Sequence, residues 1–214
     1  MRRPLVAILR GLSPVEAPAV ARALVAAGID TIEVPLNRPG ALEALAEMVR
    51  VVGTKATLGA GTVLSPDEVR AVKAAGGQLV VSPDMNPEVI AASRAAGLMS
   101  CPGVATPTEA LAALRAGADM LKLFPAFQIG PAGLAAWRAV LPPGAKVLAV
   151  GGIGPGDFAP WLAAGAAGFG LGSHLYKPGN SAEQVAEKAA KIVSALDAAL
   201  AALPAAPGSP SAPR

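Results

Sequence analysis

Seven glycines, Gly28, Gly53, Gly76, Gly97, Gly117, Gly144 and Gly165, fall roughly 20 to 27 residues apart. Most of them stand between an alanine-rich stretch of helical periodicity and an apolar or β-branched run. Glycine is the usual residue where a helix stops in a left-handed conformation. Seven such stops, each followed by a strand-like run, together with the opening run at 4–10, predict eight strands. Helices are predicted over 15–27, 41–51, 67–75, 87–96, 108–116, 131–140, 156–164 and 182–203. Two of them carry start signals: Ser13-Pro14-Val15-Glu16 and Ser65-Pro66-Asp67-Glu68 each place Pro after Ser and Glu three residues beyond it. Alternating strands and helices imply right-handed βαβ units on a parallel sheet. Eight units in about 200 residues fit a single-domain (β/α)8 barrel of the α/β class, with an open doubly wound sheet as the other arrangement of that length.

Composition agrees with that layout. The chain has 214 residues, 53% of them hydrophobic but only 3% aromatic. Its core is therefore built from Ala, Val, Leu and Ile, which suits helices packed closely on a parallel sheet. The barrel is expected to span residues 1–203. The Pro-, Ala- and Ser-rich stretch 204–214 reads as a disordered tail that cannot bury enough surface to order itself. The net charge of +3 comes from scattered basic residues with no interleaved aromatics, which disfavours nucleic-acid binding. A single cysteine, Cys101, excludes an internal disulfide framework and fits a reducing compartment. No apolar run approaches the roughly 18 residues needed to span a bilayer, and residues 1–4 lead straight into a strand without a cleavage region. A cytoplasmic protein without membrane contact is expected.

Charged residues on strands are then the diagnostic. The strand bodies are almost free of charge except for Glu33 in the second strand and Lys122 in the sixth. Arg10 stands where the first strand ends, and Lys146 at the solvated start of the seventh. Glu33 and Lys122 each lie five residues after a helix-ending glycine, Gly28 and Gly117. Equal offsets on strands facing each other predict one interior layer, since alternate strands supply the side chains of a layer. The same count on the fourth and eighth strands reaches Val81 and Gly170, so a glycine leaves room for a substrate beside two charged groups. A buried structural Glu–Lys pair is the alternative, although such pairs are expensive to desolvate.

The strand ends add further candidates. The seventh strand runs into Val150-Gly151-Gly152-Ile153-Gly154 and the eighth into Gly170-Leu171-Gly172-Ser173-His174. Two glycine-rich turns at these places suit a phosphate, because backbone N–H groups can approach an anion closely there. Thr62, in Gly59-Ala60-Gly61-Thr62-Val63, could hold a carboxylate or merely end a strand. The guanidinium of Arg10 could clamp a carboxylate through its planar fork or sit as a surface arginine. Cys101 reads as a small core residue, and His174 as a rim residue.

Absent motifs narrow the chemistry. With one histidine and no His/Asp/Cys cluster at ligand spacing, no metal site is expected. No nucleotide-binding glycine motif follows the first strand, no serine–histidine–acid set is assembled, and no cofactor is implied. What remains is a buried lysine opposite a glutamate, with anion-binding groups around them. An amine removed from water loses its proton more readily, and the free amine attacks a carbonyl. The resulting Schiff base can accept the electrons of a breaking C–C bond, while a carboxylate moves the protons.

These residues also carry a resemblance. The chain resembles the bacterial 2-keto-3-deoxy-6-phosphogluconate and 2-keto-3-deoxy-6-phosphogalactonate aldolases, class I enzymes of the (β/α)8 type, from Pro4 to about Leu196. The matching motifs are Ala7-Ile8-Leu9-Arg10-Gly11, Ile32-Glu33-Val34-Pro35-Leu36-Asn37, Gly59-Ala60-Gly61-Thr62-Val63-Leu64, Cys101-Pro102-Gly103, Leu121-Lys122-Leu123-Phe124-Pro125, Val150-Gly151-Gly152 and Gly170-Leu171-Gly172-Ser173. The resemblance implies that Lys122 forms the Schiff base and that Glu33 is the general acid/base, working through a water. It implies that Arg10 and Thr62 hold the pyruvate carboxylate, with Pro102 and Phe124 as pocket wall. Gly151, Gly152, Gly172 and Ser173 would hold the 6-phosphate, and the products would be pyruvate and glyceraldehyde 3-phosphate. It also implies a homotrimer. The phosphogluconate enzymes usually carry Thr-Leu-Arg-Thr after the strand glutamate and Thr-Gly-Gly at the later turn, where this chain has Pro35-Leu36-Asn37-Arg38 and Val150-Gly151-Gly152. Asn37 and Val150 therefore point to the phosphogalactonate branch, while an apolar Val150 discriminates weakly and leaves activity on both epimers open. An isomerase or epimerase using Glu33 alone, and a non-catalytic sugar-phosphate-binding barrel, also remain open.

Overall fold

The structure is a computed structural model and describes residues 3–203; the expected tail at 204–214 lies outside the described residues. The strands are β1 (Leu5–Ile8), β2 (Thr31–Pro35), β3 (Thr57–Gly61), β4 (Leu79–Val81), β5 (Met99–Cys101), β6 (Gly103–Val104), β7 (Leu121–Leu123), β8 (Val147–Val150) and β9 (Gly168–Leu171). The helices are α1 (Ala17–Ala26), α2 (Ala41–Val52), α3 (Pro66–Ala74), α4 (Pro87–Ala95), α5 (Pro107–Ala116), α6 (Ala126–Arg138), α7 (Phe158–Ala163) and α8 (Ala182–Ala201). All strand pairings are parallel, in the order β5-β4-β3-β2-β1-β9-β8-β7-β6.

Nine strands rather than eight arise from one residue. Pro102 has no N–H to give a ladder, so the predicted fifth strand is divided into β5 and β6. Its carbonyls nevertheless carry the ladder round. Met120 N donates to Ser100 O at 3.2 Å, Lys122 N to Pro102 O at 2.9 Å and Phe124 N to Val104 O at 3.1 Å. On the other side, Ser82 N donates to Cys101 O at 3.2 Å. The ring thus closes through the split strand as a (β/α)8 barrel, and the open doubly wound sheet is excluded.

The core has two parts, as a barrel requires. A large shell lies between strands and helices; α2 contributes Ala41, Ala44, Leu45, Met48 and Val52, the stripe expected of one face turned to the sheet. A smaller cluster fills the barrel interior: Val6, Leu79, Val81, Cys101, Met120, Leu148 and Val150. The small residues noted in the composition let the two shells approach.

Local signals fare unevenly. Ser65 caps α3 in a reciprocal box with Glu68, as predicted. At Ser13 the same side-chain bonds form, with the Ser13 hydroxyl donating to Glu16 Oε2 at 2.6 Å, but regular helix begins only at Ala17, because residues 14–16 form a turn. Six of the seven glycines are left-handed; Gly53 is the exception, at φ −54°, because α2 ends in right-handed turns. The predicted helix 131–140 begins earlier, at Ala126, and is broken at Gly130, where φ 70° and ψ 168° precede Pro131. The predicted helix 156–164 is a short 3-10 turn at Pro155–Asp157 followed by α7.

Candidate active site

Glu33 is the central residue of β2, a strand whose five residues are all buried, and it is 1% exposed. Its carboxylate leans over β3. A Cβ built on Gly61 would collide with Glu33 Oε2, so a side chain at that position and this carboxylate exclude one another. Oε2 has no hydrogen-bond partner, one of two such buried side-chain atoms among the described residues. Burial raises the Glu33 carboxyl above the ordinary value of 4.5, while the charges of Lys122 and Arg10 oppose that shift. A carboxyl whose burial favours the protonated form, with two cations nearby that favour the ionised one, is suited to giving and taking a proton, which is what a general acid/base must do.

Lys122 is the centre of β7 and 7% exposed. Its Nζ stands 4.8 Å from the centroid of the Phe124 ring, a cation–π contact. No ion pair joins Lys122 to Glu33, so each keeps a free face towards the same space. Glu33, Val81, Lys122 and Gly170 all border one interior cavity, together with Val150 and Cys101. The four residues counted from helix-ending glycines all face the barrel interior. Cys101 is 2% exposed and its thiol is pushed up to about 12, mainly by burial, which suits a core residue and not a nucleophile.

Above the pair, a cavity of about 750 Å³ opens at the carboxyl ends of the strands, where barrel enzymes place their chemistry. Of the residues expected at the site, Arg10, Glu33, Thr62, Lys122, Phe124, Val150, Gly151, Gly152, Gly172 and Ser173 line it. Two do not. Pro102 is buried between β5 and β6, and Asn37 is exposed on the loop after β2, while its neighbours Arg38 and Pro39 line the cavity. Gly151 and Gly152 are left-handed in succession, at φ 101° and 76°. That geometry can turn backbone N–H groups towards a common point, as an anion cradle needs.

Thr62 is the one non-glycine residue with positive φ among the described residues, at 56°. A β-branched side chain is disfavoured there, and such outliers persist where surrounding structure imposes them. The sequence gives no sign of this strain. It also leaves unnoticed Ile8, the last residue of β1, and Ser13, Tyr176 and Lys177, which come to the cavity from loops whose course only the closed barrel fixes. His174 lies on the rim as expected. Among the described residues no group of three or more His, Cys, Asp or Glu could hold a metal, and no helix is long and apolar enough to cross a membrane.

Comparison with known proteins bears on this geometry. A family model described as KDPG and KHG aldolase matches residues 1–192. The chain is 48% identical over 192 residues to 2-dehydro-3-deoxy-6-phosphogalactonate aldolase of Escherichia coli (strain K12), covering 90% of this chain and 94% of that one. A solved native KDPGal structure superposes with a TM-score of 0.92 at 46% identity, covering 94% of this chain and 98% of the other. A KDPG aldolase from Legionella pneumophila, captured with pyruvate as a covalent carbinolamine intermediate, superposes at 0.77 with 27% identity, covering 92% and 94%.

Proposed function

Because the chain belongs to the KDPG and KHG aldolase family and is a carbon–carbon lyase, we propose that it cleaves 2-dehydro-3-deoxy-6-phosphogalactonate to pyruvate and glyceraldehyde 3-phosphate. The observation that carries this reading is the buried amine of Lys122 beside the partnerless carboxyl of Glu33, at the floor of the cavity.

In the proposed mechanism Lys122 Nζ attacks C2 of the keto acid, and the C2 oxygen takes a proton to give a carbinolamine. Glu33 donates the second proton to that oxygen, directly or through a water, and water leaves the iminium. Glu33, now a carboxylate, removes the proton of the C4 hydroxyl. The C3–C4 bond breaks, its electron pair moves into the iminium, and the aldehyde departs as glyceraldehyde 3-phosphate. Glu33 returns the proton to C3 of the enamine, and water hydrolyses the iminium to free Lys122 and pyruvate. Arg10 and the Thr62 hydroxyl hold the carboxylate in this reading, Phe124 walls the pocket, and the turns at Gly151–Gly152 and Gly172–Ser173 hold the phosphate. Pro102 and Asn37, which do not line the cavity, would shape it through the split strand and through the loop after β2 that also carries Arg38.

Specificity for the galactonate epimer rests on Val150, which lines the cavity beside Gly170, and on the 48% identity to the phosphogalactonate enzyme. The test is turnover of both epimers, before and after Val150→Thr. The wild type should prefer the phosphogalactonate, and the variant should gain on the phosphogluconate. A wild type faster on the gluconate epimer would reassign the substrate, and an unchanged ratio would retire Val150. We further propose that residues 1–203 carry the activity, so that removing 204–214 leaves kcat unaltered, and that the protein works in the cytoplasm as a homotrimer. The exposed apolar side chains of Val15, Leu64, Phe127 and Val140 support association, which light scattering of the purified protein would measure.

A further inference from the structure

The mouth of the cavity is lined by cations that the mechanism above does not use. Lys177, on the loop after β9, and Arg38, on the loop after β2, both border the cavity, on either side of Arg10 at the end of β1. β9, β1 and β2 are consecutive neighbours in the sheet, so the three cations occupy three consecutive strand ends. Glu33, at the floor, is the one carboxylate among the lining residues. The four ion pairs among the described residues involve none of the three cations. None of the three is tied up in an ion pair, and Arg10 also acts on the Glu33 carboxyl at the floor.

The loops that carry them are packed against each other. A Cβ added at Gly11 would lie 3.1 Å from Pro178 Cγ, and one added at Gly40 would lie 3.2 Å from Pro14 Cδ. The first contact ties the Lys177 loop to the loop after β1, and the second ties that loop to the one bearing Arg38. Lys177 also follows the glycine turn closely: Leu175 N and Tyr176 N both donate to Gly172 O at 2.9 Å, which folds the chain back from the turn to the lysine. An arc of positive charge thus runs from the glycine cradle across Arg10 to Arg38, held by interlocked loops.

We infer that Arg38 and Lys177 form an anion-capture arc at the mouth, which draws phosphorylated substrate into the cavity by its phosphate dianion. A cleft with one sign of charge and low-dielectric walls raises the local concentration of opposite charge and speeds association, an effect that falls with salt. The arc accounts for an arginine of the loop after β2 standing in the cavity wall. The substrate class rests on the proposed function, but the capture of a phosphate monoester does not depend on any C–C bond being cleaved.

The test uses the full chain and the double variant Arg38→Gln/Lys177→Gln, each single variant serving if the double fails to fold. Binding of glycerol 3-phosphate is measured by calorimetry from about 20 to about 200 mM salt, a range across which screening becomes strong. The wild type should bind more weakly as salt rises. The variant should bind roughly tenfold more weakly at low salt, with a flatter salt dependence. In the condensation of pyruvate with aldehydes, the ratio of kcat/KM for glyceraldehyde 3-phosphate over that for glyceraldehyde should fall by a similar factor. Equal affinity and salt dependence in both proteins, or an unchanged ratio, would overturn the arc. Absence of cleavage with the binding difference intact would instead overturn the proposed function and leave the arc standing.

Discussion

Gly61→Ala is the substitution whose consequence the site geometry dictates most sharply. Gly61 is not in the left-handed region, so alanine meets no backbone penalty there. The whole effect is steric: the new methyl would occupy the space of Glu33 Oε2 and come within 2.9 Å of Oε1. The end of a glutamate side chain can swing aside, which limits the destabilisation to the lower part of the roughly 1–3 kcal/mol typical of overpacking. Catalysis has no such escape. A general acid/base displaced by even an ångström or so loses most of a contribution worth about 10²- to 10⁴-fold. We therefore expect kcat to fall at least about a hundredfold while the melting transition moves by only a few degrees. Pyruvate release coupled to a lactate dehydrogenase, with thermal unfolding followed by circular dichroism, measures both quantities. A folded Gly61→Ala protein with wild-type turnover would refute the placement of Glu33 as the proton carrier.

Two further outcomes follow from the same site. The raised carboxyl of Glu33 binds its proton more tightly in the folded chain than in the unfolded one, so between the ordinary 4.5 and its raised value the native state holds more protons. That contribution to stability is complete below 4.5 and is lost as pH rises through the folded value. Glu33→Gln should flatten this part of the pH–stability curve and stabilise the protein most on the alkaline side; parallel curves for the two proteins would contradict it. Thr62→Gly should relieve the left-handed backbone, worth about 1–2 kcal/mol, against about 0.5–1 kcal/mol of added freedom in the unfolded chain. Stability should hold or rise slightly in denaturant titration while KM rises through loss of the hydroxyl; a clear drop in stability would show that Thr62 is not strained.

The barrel was legible because its punctuation is local. A glycine after each alanine-rich helix marks the start of the next strand, and the period alone yields eight units. The inward face shared by Glu33, Val81, Lys122 and Gly170 was legible for the same reason, since a fixed offset from each helix-ending glycine reaches the same side of each strand. Pro102 shows where this reasoning stops: a missing N–H divides a strand without moving it, so two short strands stand in the place of one. Asn37 and Arg38 show a second limit. Strand residues alternate faces and can be assigned by counting, but loop residues point where tertiary contacts such as Gly40 against Pro14 direct them. The strain at Thr62 and the collision that reserves Gly61 for the carboxylate belong to the same class, because each depends on a neighbour distant in sequence.

The central claim is that Lys122 is the amine that carries the substrate. Incubation with pyruvate and borohydride, followed by peptide mapping in a mass spectrometer, tests it directly. Reduction should fix a pyruvate-derived adduct on Lys122, with no adduct at that peptide in Lys122→Met. An unmodified Lys122 in a protein that still cleaves its substrate, or an adduct on another lysine, would contradict the account.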